Sequence, residues 1–243
     1  FADSDFGQLD LRIAAHWSQD PALLSAFKDG VDVIDLICES VLGITKENQT
    51  KEKRVLAKAI AYGTLFGAGP KRLVEETGVD IKTASSFLRR YFAVHKRLKM
   101  FQLYYPLKVR QNDCYATTLF GRRRKLASLA EGRVIRFDPR WRSLLVGQGE
   151  EEWKIHAAER EALSVRVQGT AADIMKSAML KVYRSGLDIR AQIHDELLVQ
   201  CRVEDADKVT TILKECMEHA VDGLSVPLVA NVKIVKSWGE TED

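Results

Sequence analysis

Two acidic clusters stand near opposite ends of this 243-residue chain, each among strand-forming neighbours. Asp5 and Asp10 lie in Phe1-Ala2-Asp3-Ser4-Asp5-Phe6-Gly7-Gln8-Leu9-Asp10-Leu11-Arg12, and Asp195 and Glu196 lie in Gln192-Ile193-His194-Asp195-Glu196-Leu197-Leu198-Val199. Between them Arg54, Lys58, Tyr62 and Phe66 recur at every fourth residue. Carboxylates hold hard divalent cations and side-chain cations hold polyphosphate. This set of residue types is the equipment of metal-assisted phosphoryl transfer.

Bringing two carboxylates to about 4 Å costs roughly 4 kcal/mol at an effective dielectric near 20. A fold that does so binds a cation or shares a proton. Mg2+ accepts oxygen ligands and keeps positions for water and phosphate oxygens, and two such ions about 4 Å apart clamp the oxygens of a phosphoryl transfer. Spacing alone leaves open that Asp5 and Asp195 are turn residues that never meet. On a helix, steps of four make a slowly drifting stripe, so Arg54 and Lys58 can hold a triphosphate and Tyr62 follows about 6 Å along the axis. Arg does this as a bidentate fork and Lys as a point charge. The alternative is that Tyr62 and Phe66 are core and the cations are solvated. Leu56, Ile60 and Leu65 offer a separate apolar face for burial.

The elements that must position these groups are legible in outline. Phe1 to Leu9 reads as a strand entering a turn, and Leu11–Trp17 and Pro21–Phe27 read as helices, with Asp20 a cap and Pro21 at the first position. Asp32 to Leu42 is an apolar, periodic helix. Thr50 to Phe66 is the long helix of the stripe, capped in part by Thr50 and closed by Gly63, Gly67 and Gly69-Pro70. Pro70–Thr77 and Asp80–Phe92 are further helices, the second continuing towards Tyr105. Tyr115 to Arg122 alternates like a strand with a turn at Gly121. Ala127 to Gly149 lacks a period and reads as a loop or insertion. Glu151 to Tyr183 is helical with a break near Gln168-Gly169-Thr170. Arg190 to Val203 is two strands about a turn at His194-Asp195-Glu196, Asp205 to Ala220 is an amphipathic helix, and Pro227 to Lys236 is a last strand. Helices mid-chain and strands at both ends predict a small antiparallel sheet built from distant segments, which would bring the acidic clusters together.

Composition sets few limits. Hydrophobic residues make up 46% and charged residues 29%, with a net charge of +3, the values of an ordinary globular protein. Arg122-Arg123-Arg124-Lys125 is a dense basic knot, which could equally be a solvated turn. Cys38, Cys114, Cys201 and Cys216 form no CxxC pair, which argues against a disulfide framework or zinc site and for a reducing intracellular compartment. No apolar run reaches the ~18 residues that would span a bilayer.

In order and together, the three segments resemble motifs A, B and C of the family A DNA polymerases. Motif A corresponds to Asp5-Phe6-Gly7-Gln8-Leu9-Asp10-Leu11-Arg12, motif B to Arg54, Lys58, Tyr62 and Gly63, and motif C to His194-Asp195-Glu196. Thr118-Leu119-Phe120-Gly121-Arg122-Arg123 is similar to the family's Thr-x-x-Gly-Arg-Arg hairpin. Ala158-Glu159-Arg160, Val167 to Asp173, Val226-Pro227-Leu228 and Ser237-Trp238 extend the resemblance to about Trp238. It implies an α+β polymerase hand without the thumb. The palm would be an antiparallel sheet over 1–20 and 116–243, and the mostly helical fingers would cover 21–115, with the motif B helix at about 50–66. The chain opens on a motif rather than on Met, so it reads as a fragment, with the thumb and any exonuclease domain upstream of Phe1.

Residue by residue, the resemblance implies that Asp5 and Asp195 are catalytic and hold two Mg2+ ions, for which Mn2+ would substitute. The Phe6 carbonyl would be a further metal ligand and Glu196 a supporting one. Arg54 and Lys58 would hold the incoming deoxynucleoside triphosphate, with Lys58 also catalytic as the group that protonates the leaving pyrophosphate. Tyr62, Phe66 and Gln8 fall at nucleotide-binding positions. Asp10 would sit under the ribose as the gate that rejects a 2′-hydroxyl. Arg12, Arg122, Arg123, Arg160, Gln168 and His194 would contact primer–template DNA. The implied activity is template-directed DNA synthesis, a nucleotidyl transfer to a primer 3′ end. DNA and nucleotides are the expected partners, and neither a membrane nor any particular accessory protein is implied.

Several positions depart from the family pattern: Phe66 for a Tyr, Ile34 for a frequent His, Val55 for a second Arg, Ser164 for an Asn, and a longer 127–150 segment. None removes a metal ligand or Lys58. They suggest a divergent branch, phage or organellar, with a bacterial cytoplasm also open. A single-subunit RNA polymerase is the nearest rival. It is disfavoured by the three-residue gap between Lys58 and Tyr62 and by Asp10 where that family places Gly. A catalytically dead nucleic-acid-binding relative would lack the paired aspartates.

Overall fold

The computed structural model describes residues 1–131 and 150–240. Its strands are β1 (Ala2–Phe6), β2 (Tyr115–Thr117), β3 (Arg123–Lys125), β4 (Asp188–Ile193), β5 (Glu196–Gln200) and β6 (Ala230–Ile234). Its helices are α1 (Leu9–Ser18), α2 (Pro21–Lys28), α3 (Val33–Ile37), α4 (Lys51–Leu65), α5 (Pro70–Thr77), α6 (Ile81–Val94), α7 (Lys96–Gln111), α8 (Ser128–Glu131), α9 (Glu150–Arg184) and α10 (Ala206–Glu218). They form two compact units, one of Phe1–Leu36 with Gln168–Asp243 and one of Ile37–Val167.

The first unit is built on a four-stranded sheet in the order β4-β5-β1-β6, antiparallel throughout. β1 is central, paired with β5 from Ala2↔Val199 to Asp5↔Glu196 and with β6 from Ala2↔Ile234 to Phe6↔Ala230. The expectation of one sheet from distant segments therefore holds. The period of two along β1 sends Ala2, Ser4 and Phe6 to one face and Asp3 and Asp5 to the other. The first set is fully buried, as are Leu197 and Val199. Helix α10 packs on β1 and β6 and buries Val209, Leu213 and Met217. Helix α1 follows directly and buries Leu11, Ile13, Ala14 and Ala15. At the start of α2 the Asp20 side chain accepts from the Leu23 N–H at 3.4 Å, the cap expected from Asp20-Pro21.

In the second unit, Thr50 accepts from the Lys53 N–H at 3.4 Å to open α4. Ala57, Ile60, Ala61, Thr64 and Leu65 are its buried face. Its end is a Schellman closure: Gly67 N–H to Thr64 carbonyl and Ala68 N–H to Gly63 carbonyl, each at 3.0 Å. Gly67 sits at φ +79°, which a residue with a Cβ rarely adopts. The Gln102 side chain of α7 donates to the Thr64 carbonyl at 2.5 Å and to that of Leu65 at 3.2 Å, satisfying end carbonyls that the helix itself cannot.

Four local expectations are corrected. The strand expected over Tyr115–Arg122 stops at Thr117, turns through Gly121 at φ +81°, and continues as β3, a strand made only of cations. The helix expected over Asp32–Leu42 is α only to Ile37 and then widens to a π turn over Cys38–Leu42, closed by Gly43. The break expected near Gln168–Thr170 is absent, because α9 runs unbroken through Gly169. A helical Gly costs about 1 kcal/mol relative to Ala, which the complete burial of Val167, Thr170 and Ile174 around it outweighs. The loop expected over 127–149 begins instead with the single helical turn of α8, and its residues 132–149 lie outside the described residues. Among the described residues no helix is long and apolar enough to cross a membrane.

Candidate active site

The turn between β4 and β5 carries His194 and Asp195 up to the end of β1. The Phe6 N–H donates to the Asp195 carbonyl at 3.2 Å, and Asp5 stands opposite Glu196 in the ladder. Directly opposed residues bring their Cβ atoms to about 5 Å, so two carboxylates from opposite ends of the chain face each other. The turn holds His194 at φ 52°, a conformation His tolerates better than most residues. The Gln192 side chain donates to the His194 carbonyl at 2.6 Å. Asp5 and His194 are exposed, and Asp195 is half-buried.

This crowding shows in the titration of the acids. Burial pushes Asp195 above the usual carboxylate range, and the charge of Asp5 adds to the effect. Glu196 is pushed up to about 7, first by burial, then by its acidic neighbour Asp3, with the charges of Asp5 and Asp195 adding to the effect. The Asp3 Oδ1 and Glu196 Oε1 atoms are buried acceptors that no donor reaches among the described residues. Asp3 lies outside the sequence-derived set of site residues. The signal for it is its i, i+2 spacing from Asp5, which on a strand means a shared face.

Asp10, in the first turn of α1, is pushed up to about 6 by burial and secondarily by Asp195. Its unfolded carboxyl titrates near 3.8, so ionising it in the fold costs about 3 kcal/mol. That stability is whole below pH 3.8 and is lost as pH rises through about 6. Asp10→Asn is therefore expected to raise the unfolding free energy at pH 8 by up to about 3 kcal/mol, and by much less at pH 4.5. Urea denaturation in the presence of chelator reads both values, and equal gains at the two pH values would contradict the assignment.

Two other residues of motif A brace the site. Gln8 donates to Asp32 Oδ1 at 2.8 Å, the same oxygen that receives the Ile34 N–H at 2.8 Å. Arg12 donates to the carbonyls of Gly7 and Pro227, each at 2.7 Å, and lies 4.5 Å over the Phe27 ring. Its guanidinium thus ties the turn after β1 to the approach to β6. On α9, Gln168 is exposed.

In the second unit, α4 turns Lys58 to solvent, while Arg54 is half-buried and donates to Gln49 Oε1 at 3.0 Å. Tyr62 and Phe66 are half-buried and wall a cavity of 600 Å³. Gly63, Gly67, Arg72 and Arg160 also line it. A Cβ at Gly67 would come to 3.5 Å from Arg160 Cγ. Arg72 is held at 2.6 Å by Glu76. On the β2–β3 hairpin the basic knot divides. Arg123 and Lys125 lie 5.0 and 5.5 Å over the Tyr115 ring, whereas Arg124 pairs with Glu161 at 2.5 Å. Arg122 and Arg123 are exposed.

The family model described as DNA polymerase family A matches residues 1–240. The chain belongs to DNA polymerase family A. It is 35% identical to DNA polymerase I of Caldicellulosiruptor bescii across 99% of this chain and 27% of that protein. It is 34% identical to the thermostable DNA polymerase I of Thermus aquaticus across 96% of this chain and 26% of that protein. Among solved structures it is similar to the POL domain of Pol1 from M. smegmatis, in complex with DNA primer-template and dNTP. That match has a TM-score of 0.79 at 28% identity and covers 95% of this chain and 38% of that one. The chain thus spans about a quarter of the length of the curated relatives it matches.

As a family A chain it is expected to use divalent metal, and the acids fit one. Among the described residues no three His, Cys, Asp or Glu side chains converge to enclose an ion. Mg2+ does not need such a cage, because it is commonly held by one or two carboxylates with water and substrate oxygens completing its octahedron. Asp5 and Asp195 offer hard oxygen ligands beside acceptors that lack donors, a surplus of negative charge that a cation would relieve.

Proposed function

We infer that this chain carries the chemistry of template-directed DNA synthesis, adding deoxynucleotides to a primer 3′ end and releasing pyrophosphate. The meeting of Asp5 on β1 with Glu196 across the ladder and with Asp195 in the turn before it carries this reading. Relatives named DNA polymerase I, and a structural neighbour that holds DNA primer-template and dNTP, support it.

Asp5, Asp195 and the Phe6 carbonyl would hold the metal, with Glu196 in support; two Mg2+ ions are expected, and Mn2+ is an acceptable substitute. When bound, such ions stabilise the charge that develops on the transferred phosphoryl group and ease ionisation of the attacking hydroxyl. Arg54 forks onto the triphosphate, and Lys58 neutralises it and gives a proton to the departing pyrophosphate oxygen. Tyr62 stacks by the sugar and base of the incoming nucleotide, with Gln8 as a further polar contact. Phe66 stacks beside the template base. Asp10 fills the space under C2′, where an added hydroxyl would clash. Arg122, Arg123, Arg160, Gln168 and His194 hold primer and template, as does Arg12 through the turn that it braces.

Primer extension tests the reading. With labelled primer–template, four deoxynucleotides and Mg2+, the purified protein is expected to extend in template order and to stop on addition of chelator. Tight DNA binding without extension under either condition would leave only a binding protein. In the same assay dideoxynucleotides are expected to terminate chains efficiently, because the Tyr62 phenol supplies a hydroxyl where the sugar has lost one. Tyr62→Phe should weaken termination about tenfold, the value of about 1.4 kcal/mol of discrimination.

A further inference from the structure

The basic hairpin β2–β3 is too small to hold itself in place. A two-stranded hairpin is at best marginally stable in water, and all three residues of β3 are exposed. Apolar packing anchors one side through Ala116 and Leu126, which join Tyr105, Val109, Leu129 and Ala162 in one buried cluster. The end of β2 is held by polar contacts. Arg166 of α9 donates from Nη1 to both the carbonyl and the hydroxyl of Thr117, each at 2.8 Å. The Tyr105 hydroxyl donates to the same carbonyl at 3.2 Å and accepts from the Thr117 N–H at 3.1 Å. The guanidinium of Arg166 lies 5.0 Å over the Tyr105 ring, which fixes its plane. Thr117 is the register partner of Arg123. The clamp therefore grips the residue directly across the strand from a cation assigned to DNA.

We propose that Arg166 is a positioning residue for DNA: through Thr117 and Tyr105 it sets the hairpin so that Arg122 and Arg123 meet backbone phosphates, without touching DNA itself. This rests on the DNA-synthesis reading above. A guanidinium suits the task because the two hydrogens of its Nη1 can each meet one oxygen of Thr117 while its face stacks on a ring. A phosphate-binding Arg contributes to affinity only where its own backbone is held, since ordering a mobile hairpin on binding subtracts from the gain.

Arg166→Met keeps the length of the alkyl stem and removes the fork. Without DNA, hydrogen exchange at the amides of residues 115–125 is expected to quicken by about tenfold. With DNA, the dissociation constant for primer–template should rise by about tenfold, and the logarithmic salt dependence should flatten by about one or two phosphate contacts. The rate constant at saturating DNA and nucleotide should change by less than about twofold. In an Arg122→Ala/Arg123→Ala background the same substitution should cost almost nothing further in affinity. Tyr105→Phe removes one hydroxyl of the clamp and should act in the same direction, so the test survives if Arg166→Met folds poorly.

Unchanged hairpin exchange would overturn the proposal. So would a loss of affinity fully additive to that of the double variant, which would make Arg166 a phosphate contact in its own right. A lowered melting temperature with the salt dependence intact would reduce it to a packing residue. If the unaltered protein binds no DNA, the functional reading and the DNA role fall together. Accelerated exchange would then still establish the clamp, so the two failures are distinguishable.

Discussion

Asp195→Ala is expected to reduce primer extension in Mg2+ by a factor of about 1,000 or more. Two negative charges that share a cation contribute several kcal/mol to the stability of a phosphoryl-transfer transition state, and about 4 kcal/mol is a thousandfold in rate. The same substitution should not harm the fold. Burial and Asp5 both disfavour the ionised Asp195, so at neutral pH and without metal its charge is a burden on stability. A raised carboxylate pKa gives stability that is present at low pH and is lost as pH rises through the folded value. Removing the group removes that loss. Asp195→Ala and Asp195→Asn should thus melt no lower than the unaltered protein at pH 8 in chelator, while both lose extension. Single-turnover incorporation rates measured beside thermal melts test the pair of expectations. Extension within tenfold of the unaltered protein would remove Asp195 from the chemistry. A lowered melting temperature in both variants would show that the loss of activity comes from damage to the fold.

Lys58→Ala is expected to have the next largest effect, a fall of about 100-fold to 1,000-fold in the incorporation rate, the range for loss of one general acid that also neutralises charge. The structure makes the interpretation clean. Lys58 is exposed, whereas α4 buries Ala57, Ile60, Ala61, Thr64 and Leu65 on its other faces. Truncating an exposed side chain away from any cap changes stability by about 0.5 kcal/mol or less. Lys58→Arg should bind nucleotide well yet recover little of the rate, because a guanidinium holds phosphate but does not give up a proton near neutral pH. Full recovery with Arg would limit Lys58 to holding charge.

What could be foreseen from the residues depended on whether the signal was local. β1 declares itself by alternation, α2 by Asp20-Pro21, and the end of α4 by Gly67, because in each case the physical cause lies within a few residues. The meeting of Asp5 with Asp195 is suggested by strands at both ends of the chain and made specific by motifs from its distant parts that match one family in order. Neither period nor spacing requires it. The failures are cases where distant contacts decide. β3 is three cations whose strand form comes from its pairing with β2 rather than from any propensity of its own. Gly169 looks like a helix breaker until the buried residues around it are counted. The clamp at Thr117 joins residues from three elements, so none of its members stands out in sequence. Asp3 lay closest to being found, since its spacing from Asp5 already implied a common face.

The central place of β1 also bears on how the chain is made. A ribosome makes residues 2–6 well before both neighbours of that strand, residues 196–200 and 230–234. At translation speeds of about 5–20 residues per second, the strand that bears Asp5 waits on the order of ten seconds or longer before either flank can dock. Until then its backbone donors and acceptors are open to solvent, to chaperones and to strands of other nascent chains. Premature termination before Ala230 would release a chain whose central strand has lost a whole side of its ladder, and such products are natural candidates for rapid clearance.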